Sequence, residues 1–287
     1  MATSFLAVTP LTQAAEGGGS EYLPGFYGDF GMAVTPEPGY YLSNFLGYST
    51  ADDGNAGNSL LFELPGVMAV TDTKIAGGTY WFGFYPYVLR TESNSTLPDG
   101  TKIQAAQGGA GDMYAVPAQL SWQWDTVSLV VFNGIVLPTG EYDKNRSLNG
   151  GRNYWTFDNN IALTWLPFDG AYDLSLDFGY MVNTENEATH YRTGDELHLD
   201  YLAGYAISKN VSVGVAGSYY RQVTPDTGSG VPADAIQGEY SSIGPAVMYN
   251  VNIGEQAVCF SAKWLREYNV NNHIPSDYMI LRTVLKF

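Results

Sequence analysis

The chain has 287 residues and a formal net charge of −16, from 29 acidic and 13 basic side chains. That balance excludes a nucleic-acid partner, since phosphate binding needs clustered Lys and Arg. The single cysteine, Cys259, excludes an intramolecular disulfide and the usual zinc clusters, and reads as a small packing residue.

With 22 Tyr and 33 Gly, and no Leu/Ala/Glu-rich stretches, the composition favours strands with glycine turns in one all-β unit. No run reaches the roughly eighteen apolar residues of a membrane helix, so a membrane-spanning reading has to be a β-barrel.

In chain order, MATSFLAVTPLTQAAEGGG has no Lys or Arg, and small residues surround a cleavage point near Ala14 or Ala15. Residues 1–15 therefore read as a signal-peptide remnant. Residues 16–39, EGGGSEYLPGFYGDFGMAVTPEPG, lack strand alternation and are dense in Gly and Pro. Their aromatics Tyr22, Phe26, Tyr27 and Phe30 are poor residues to leave in water, so the segment is expected to fold into a barrel lumen. Its carboxylates Glu21 and Asp29 would make that lumen negative.

Residues 40–287 are expected to form the barrel, with about twelve strands near 40–49, 62–71, 75–89, 112–124, 127–137, 154–166, 173–183, 196–207, 211–222, 240–251, 256–267 and 277–287. In DMYAVPAQLSWQW, Tyr114, Val116, Ala118, Leu120, Trp122 and Trp124 are assigned to one face. In YWTFDNNIALTW, Trp155, Phe157, Ile161, Leu163 and Trp165 oppose Thr156, Asp158, Asn160, Ala162 and Thr164. DLSLDFGYMVN sets Leu174, Leu176 and Phe178 against Asp173, Ser175 and Asp177. The terminal YMILRTVLKF sets Met279, Leu281, Thr283, Leu285 and Phe287 against Tyr278, Ile280 and Arg282. Aromatics at the ends of the apolar face match the girdle that a bilayer interface selects.

The connections alternate in length. TDTK, DT, PFDGAY, KN and NIGE read as short turns; 50–61, 90–111, 138–153, 184–195, 223–239 and 268–276 read as long loops. Short periplasmic turns and long extracellular loops are the layout of an outer-membrane barrel. The last strand is then expected to pair with the first near YYLSNFLGY, and the terminal Phe287 to serve as an assembly signal at the periplasmic rim.

EYLPGFYGDFG, LPTGEYD, LNGGRNYWTF, NTENEATHYRTGDELHLDY and SSIGPAVMYN together resemble the phenol-degradation (meta-pathway) outer-membrane protein family. The resemblance spans residues 16–287. It implies a monomeric twelve-stranded transmembrane β-barrel that carries small hydrophobic or aromatic compounds, and it brings no catalytic residues to transfer.

No cofactor, metal or catalytic group is expected. The partners are small hydrophobic or aromatic solutes, the bilayer and its lipopolysaccharide, and the barrel-assembly machinery. Tyr22, Phe26, Tyr27, Phe30, Asp158, Asp177, His198 and Asp200 are the expected pore and substrate lining. Glu21, Asp29, Asp158 and Asp177 are the expected source of cation selectivity. Arg152 is expected to pair with Glu141 or Asp143, and Arg192 to pin its own loop. Inward Pro117, Gly179 and Gly244 would interrupt ladders and are candidates for a lateral exit into the bilayer.

Two other functions share this fold. A barrel hydrolase would use one of only three histidines, His198, which alternates onto the same face as Asp200, but no G-x-S-x-G elbow accompanies it. An adhesion barrel would place its function in the long loops.

Overall fold

The computed structural model describes residues 15–16, 19–52, 54, 56–96 and 101–287. Apart from Ala15, the expected signal-peptide remnant lies outside the described residues.

Fourteen strands form one antiparallel sheet: β1 (Gly39–Asp52), β2 (Ala56–Ile75), β3 (Gly78–Tyr85), β4 (Val88–Thr96), β5 (Lys102–Ala110), β6 (Met113–Trp124), β7 (Val127–Leu137), β8 (Thr156–Trp165), β9 (Tyr172–Asn183), β10 (Glu196–Ala206), β11 (Val211–Gln222), β12 (Glu239–Ile253), β13 (Gln256–Asn271) and β14 (Ser276–Lys286). The first strand pairs with the last, from Tyr41↔Lys286 to Ala51↔Ser276, so closure removes the edge that YMILRTVLKF would otherwise present. β3 and β4 continue one another across Pro86–Tyr87, and β5 and β6 across Gly111–Asp112. The fourteen strands are therefore the expected 12 staves of a closed barrel.

Alternation decides the faces. On β8, Phe157, Ile161, Leu163 and Trp165 are exposed to the bilayer side, whereas Thr156, Asp158, Asn160, Ala162 and Thr164 are buried inward. β9 and β14 follow the same rule as read from the sequence. Exposed Trp124, Trp165, Tyr172 and Tyr205 lie toward the short-turn end, and Tyr48, Trp155 and Tyr268 toward the loop end, which places aromatics at both interfaces.

The structure corrects several expectations. Most of the described residues of 50–61 and 90–111 are not loop: 50–52, 56–61, 90–96 and 102–110 lie in β1, β2, β4 and β5, and the β4–β5 hairpin prolongs the wall from Val88↔Ala110 to Thr96↔Lys102. TDTK lies inside β2, and the turn is Ala76–Gly77, both at positive φ. The expected single face of β6 is broken by a bulge between Ala115 and Ala118. One extra residue reverses the alternation. Tyr114 and Val116 are accordingly buried inside with Gln119 and Ser121, while Trp124 is exposed outside.

The interior has two halves. From β1 to β7 the inward positions are mainly apolar and include Phe45, Phe62, Leu64, Met68, Trp81, Tyr85, Leu89, Tyr114, Val116 and Val130. From β8 to β13 they are largely polar, with Asp158, Asp177, Glu196, His198, Asp200, Gln222, Lys263 and Glu267 all buried.

Candidate functional site

The polar half is organised around β8, β9 and β10, where register brings Asn160, Gly179 and His198 side by side and sets Asp177 opposite Asp200. His198 Nε2 meets Asp158 Oδ1 at 3.0 Å, and its Nδ1 lies 3.7 Å from Asp200 Oδ2. Asp158 is on β8, two strands from His198, so the imidazole has to cross β9. It does so over Gly179, where a Cβ would stand 2.0 Å from Nε2 and 2.6 Å from Asn160 Oδ1. The position requires glycine for space, not for φ.

The N-terminal segment supplies the rest. The Tyr22 hydroxyl donates to Asp200 Oδ2 at 2.8 Å, and the Tyr27 hydroxyl donates to Asp158 Oδ2 at 2.7 Å. Both rings stack on His198, Tyr22 at 4.4 Å between centroids and Tyr27 at 5.4 Å, so the imidazole sits between two tyrosines. Phe26 packs on Phe45 at 4.5 Å, within the apolar half. Phe30 packs with Leu202, Ala216 and Leu265.

Three further contacts hold this segment. The Lys263 ammonium donates to the carbonyls of Gly25 (2.5 Å) and Gly28 (2.6 Å). Asp29 Oδ2 accepts from Ser261 Oγ at 2.9 Å and from Arg282 at 3.2 Å. The Gly31 amide donates to Asp173 at 2.6 Å.

Toward the loops, the Glu16 carboxylate accepts from Asn186 Nδ2 at 3.0 and 3.1 Å and from Thr189 Oγ1 at 2.7 Å. Arg152 donates to the carbonyls of Glu16 and Ser20, each at 3.1 Å, and stands 3.5 Å from Glu21 Oε1, an ion-pair distance too long for a hydrogen bond. Burial pushes the Glu21 carboxyl up to about 8, with Arg152 opposing the shift.

Arg152 therefore pairs with the N-terminal segment, not with Glu141 or Asp143. The partner of Glu141 is Arg146 at 3.5 Å, and Asp143 accepts from Asn145 within its own loop. Arg192 donates to the Asn183 carbonyl and to Asp195. Gly179 is paired on both sides, which removes it as a break in the wall, and Pro117 is exposed outward at the β6 bulge, not inward. The ladder of β12 and β13 lacks pairs at Gly244 and Pro245. Phe287 is exposed beside Tyr40, to whose carbonyl its amide donates at 3.0 Å.

Sequence reasoning put His198, Asp200, Asp158 and Asp177 inward but missed Lys263 as the anchor of residues 25–28. It also missed Asn186 as the ligand of Glu16. Lys263 alternates with apolar outward residues such as Trp264, a signal that an inward lysine needs a buried partner; Asn186 offers no such signal.

A family profile described as "Putative MetA-pathway of phenol degradation" matches residues 43–283. No curated protein sequence matches the chain. Among solved structures, a Pseudomonas putida F1 outer membrane channel superposes with a TM-score of 0.74 at 15% identity, covering 93% of this chain and 100% of that one. The transport unit of the autotransporter AIDA-I from Escherichia coli gives 0.49 at 10% identity over 88% and 90% of the two chains. A Pseudomonas aeruginosa FadL homologue gives 0.45 at 9% identity over 87% and 90%.

Proposed function

Because this chain belongs to the MetA-pathway phenol-degradation family and folds as an outer-membrane β-barrel, we propose that it is a channel for the passive uptake of small hydrophobic or aromatic molecules. In this reading residues 16–39 are a lumenal insert, and the barrel works as a monomer with no chemistry of its own. The observation that carries it is the apolar half of the interior. Barrel lumens are ordinarily polar and water-filled, yet Phe45, Phe62, Met68, Trp81, Tyr85 and Tyr114 point inward, with Phe26 and Tyr27 of the insert against them. An apolar solute gains on the order of 25 cal/mol per Å² by leaving water for such a surface.

The same half of the wall supplies a lateral route. At Pro86–Tyr87 neither β3 nor β4 pairs with β2, and Leu64, Pro65 and Gly66 of β2 keep only their β1 partners. Outside this break lies a groove of about 480 Å³ lined by Leu42, Val67, Phe84, Pro86 and Leu285 together with Asn44 and Glu63. A solute leaving the apolar half there would enter the bilayer without crossing the polar half. The hydrolase reading gains nothing from the geometry, because His198 is fully buried between two tyrosine rings.

Single-channel recording of the purified protein in planar bilayers tests the proposal against the hydrolase and adhesion readings. Discrete conductance steps with no hydrolysis of lipid or peptide are expected. A correctly folded barrel that conducts nothing would refute it.

A further inference from the structure

Asp177, His198 and Asp200 each offer one ligand atom, and these atoms lie within 4.8 Å of one another. All three residues are at most 1% exposed. Both carboxylate oxygens of Asp177, Oδ1 of Asp200 and Nδ1 of His198 are buried without a hydrogen-bond partner among the described residues. Orphaned carboxylate oxygens are costly to bury, and several converging on one point need a shared positive partner.

We propose that these three side chains bind one divalent transition-metal ion. The donor set, two carboxylates and an imidazole, suits Zn²⁺ and its first-row neighbours. Ligand atoms about 2.0–2.2 Å from a metal stand roughly 3 to 4 Å apart, and the 3.7 Å from His198 Nδ1 to Asp200 Oδ2 already has that spacing.

The surroundings are those of a metal site's outer layer. A ligating histidine characteristically donates its other N–H to a carboxylate, which fixes the tautomer and turns the free nitrogen to the ion. Asp158 occupies that role at 3.0 Å from Nε2. Tyr22 donates to Asp200 and Tyr27 to Asp158, so each hydroxyl orients one carboxylate of the set. The charge also fits: with Nδ1 on the ion the imidazole is neutral, and a divalent ion offsets most of the charge of the three surrounding aspartates in their ionised form. Since Tyr22 and Tyr27 come from the N-terminal segment, the ion would stabilise the docked position of that segment.

The test is metal content of the intact protein in detergent, equilibrated with Co²⁺ or Zn²⁺ alone and then dialysed, with heat-modifiable mobility reporting barrel folding. About one retained equivalent is expected. Asp177→Asn, which removes no hydrogen bond present in the structure, is expected to weaken retention at least tenfold. Asp158→Asn is expected to weaken it by ten- to a hundredfold, the usual effect of an outer carboxylate. The exposed trio Glu185, Glu187 and His190 is the alternative location. Glu185→Gln with His190→Ala, at exposed positions of the β9–β10 loop, is therefore expected to leave the equivalent in place. Folded wild-type protein without bound metal, retention unchanged in Asp177→Asn, or loss of the metal in the loop variant would each overturn the proposal.

Discussion

Lys263→Met is the most informative single perturbation of the docked N-terminal segment. The ammonium makes two short hydrogen bonds, to the Gly25 and Gly28 carbonyls, and it is buried. Hydrogen bonds to a charged group contribute about 1.5–3 kcal/mol each, and the saved desolvation of the lysine offsets part of their loss. A net loss of about 3 kcal/mol in docking is expected, or roughly a hundredfold rise in the undocked population at 1.4 kcal/mol per decade. The barrel itself should persist, because strand pairing at Lys263↔Ile280 uses backbone groups only. Hydrogen exchange of residues 19–38 measures the population directly, and planar-bilayer recording reads its effect as longer or larger openings. Faster exchange with unchanged current would mean that the segment does not obstruct conduction. Unchanged exchange in a folded variant would refute the anchoring argument itself.

Gly179→Ala forces a Cβ to within 2.0 Å of His198 Nε2 and should cost about 1–3 kcal/mol of stability through overpacking, read as a lowered melting point of the heat-modifiable band. Docking of the segment should weaken as pH rises from about 4.5 to about 8, because the folded state raises the Glu21 carboxyl and so binds more protons than the unfolded chain across that window. Glu21→Gln should flatten the profile measured by exchange. Reversal potentials under a salt gradient should report cation preference. The excess of acidic side chains, 29 against 13 basic, should carry it, and it should survive Asp177→Asn, since that carboxylate is buried and shares the proposed ion; anion preference would refute the expectation.

Much of the barrel was legible because lipid imposes one simple rule on one face. β8 and β9 have lipid outside and mainly polar groups inside, so their alternation gave both the strand and its orientation. β4 and β5 carry ESNST and KIQAAQGG, with little apolar face to see, and their polar, exposed residues read as loop although they pair as strand. Pro117 read as an inward break, but the bulge that spans it shifts the phase of β6, so Tyr114 and Val116 before it turn inward and Pro117 outward, while Gln119 and Ser121 after it keep their expected inward face.

The site was legible in part. His198 and Asp200 share a face by spacing alone. The contact of His198 with Asp158 depends on a glycine in the strand between them, and Arg152 meets Ser20 and Glu21 only because chain segments far apart in sequence converge. No local pattern encodes such meetings. The apolar half of the interior was hidden for a related reason: an inward Phe45 or Trp81 looks like a lipid-facing residue until strand parity is known.

In the proposed function, apolar solutes travel along the apolar half of the interior. Proteoliposome uptake of a monocyclic aromatic solute, compared with a polar solute of equal size, tests it most directly when repeated with Tyr85→Lys, which places a charge in that half. The wild-type barrel is expected to favour the aromatic solute and the variant to lose that preference while still conducting ions. Equal uptake of both solutes by the wild type, or an aromatic preference that survives Tyr85→Lys, would contradict it.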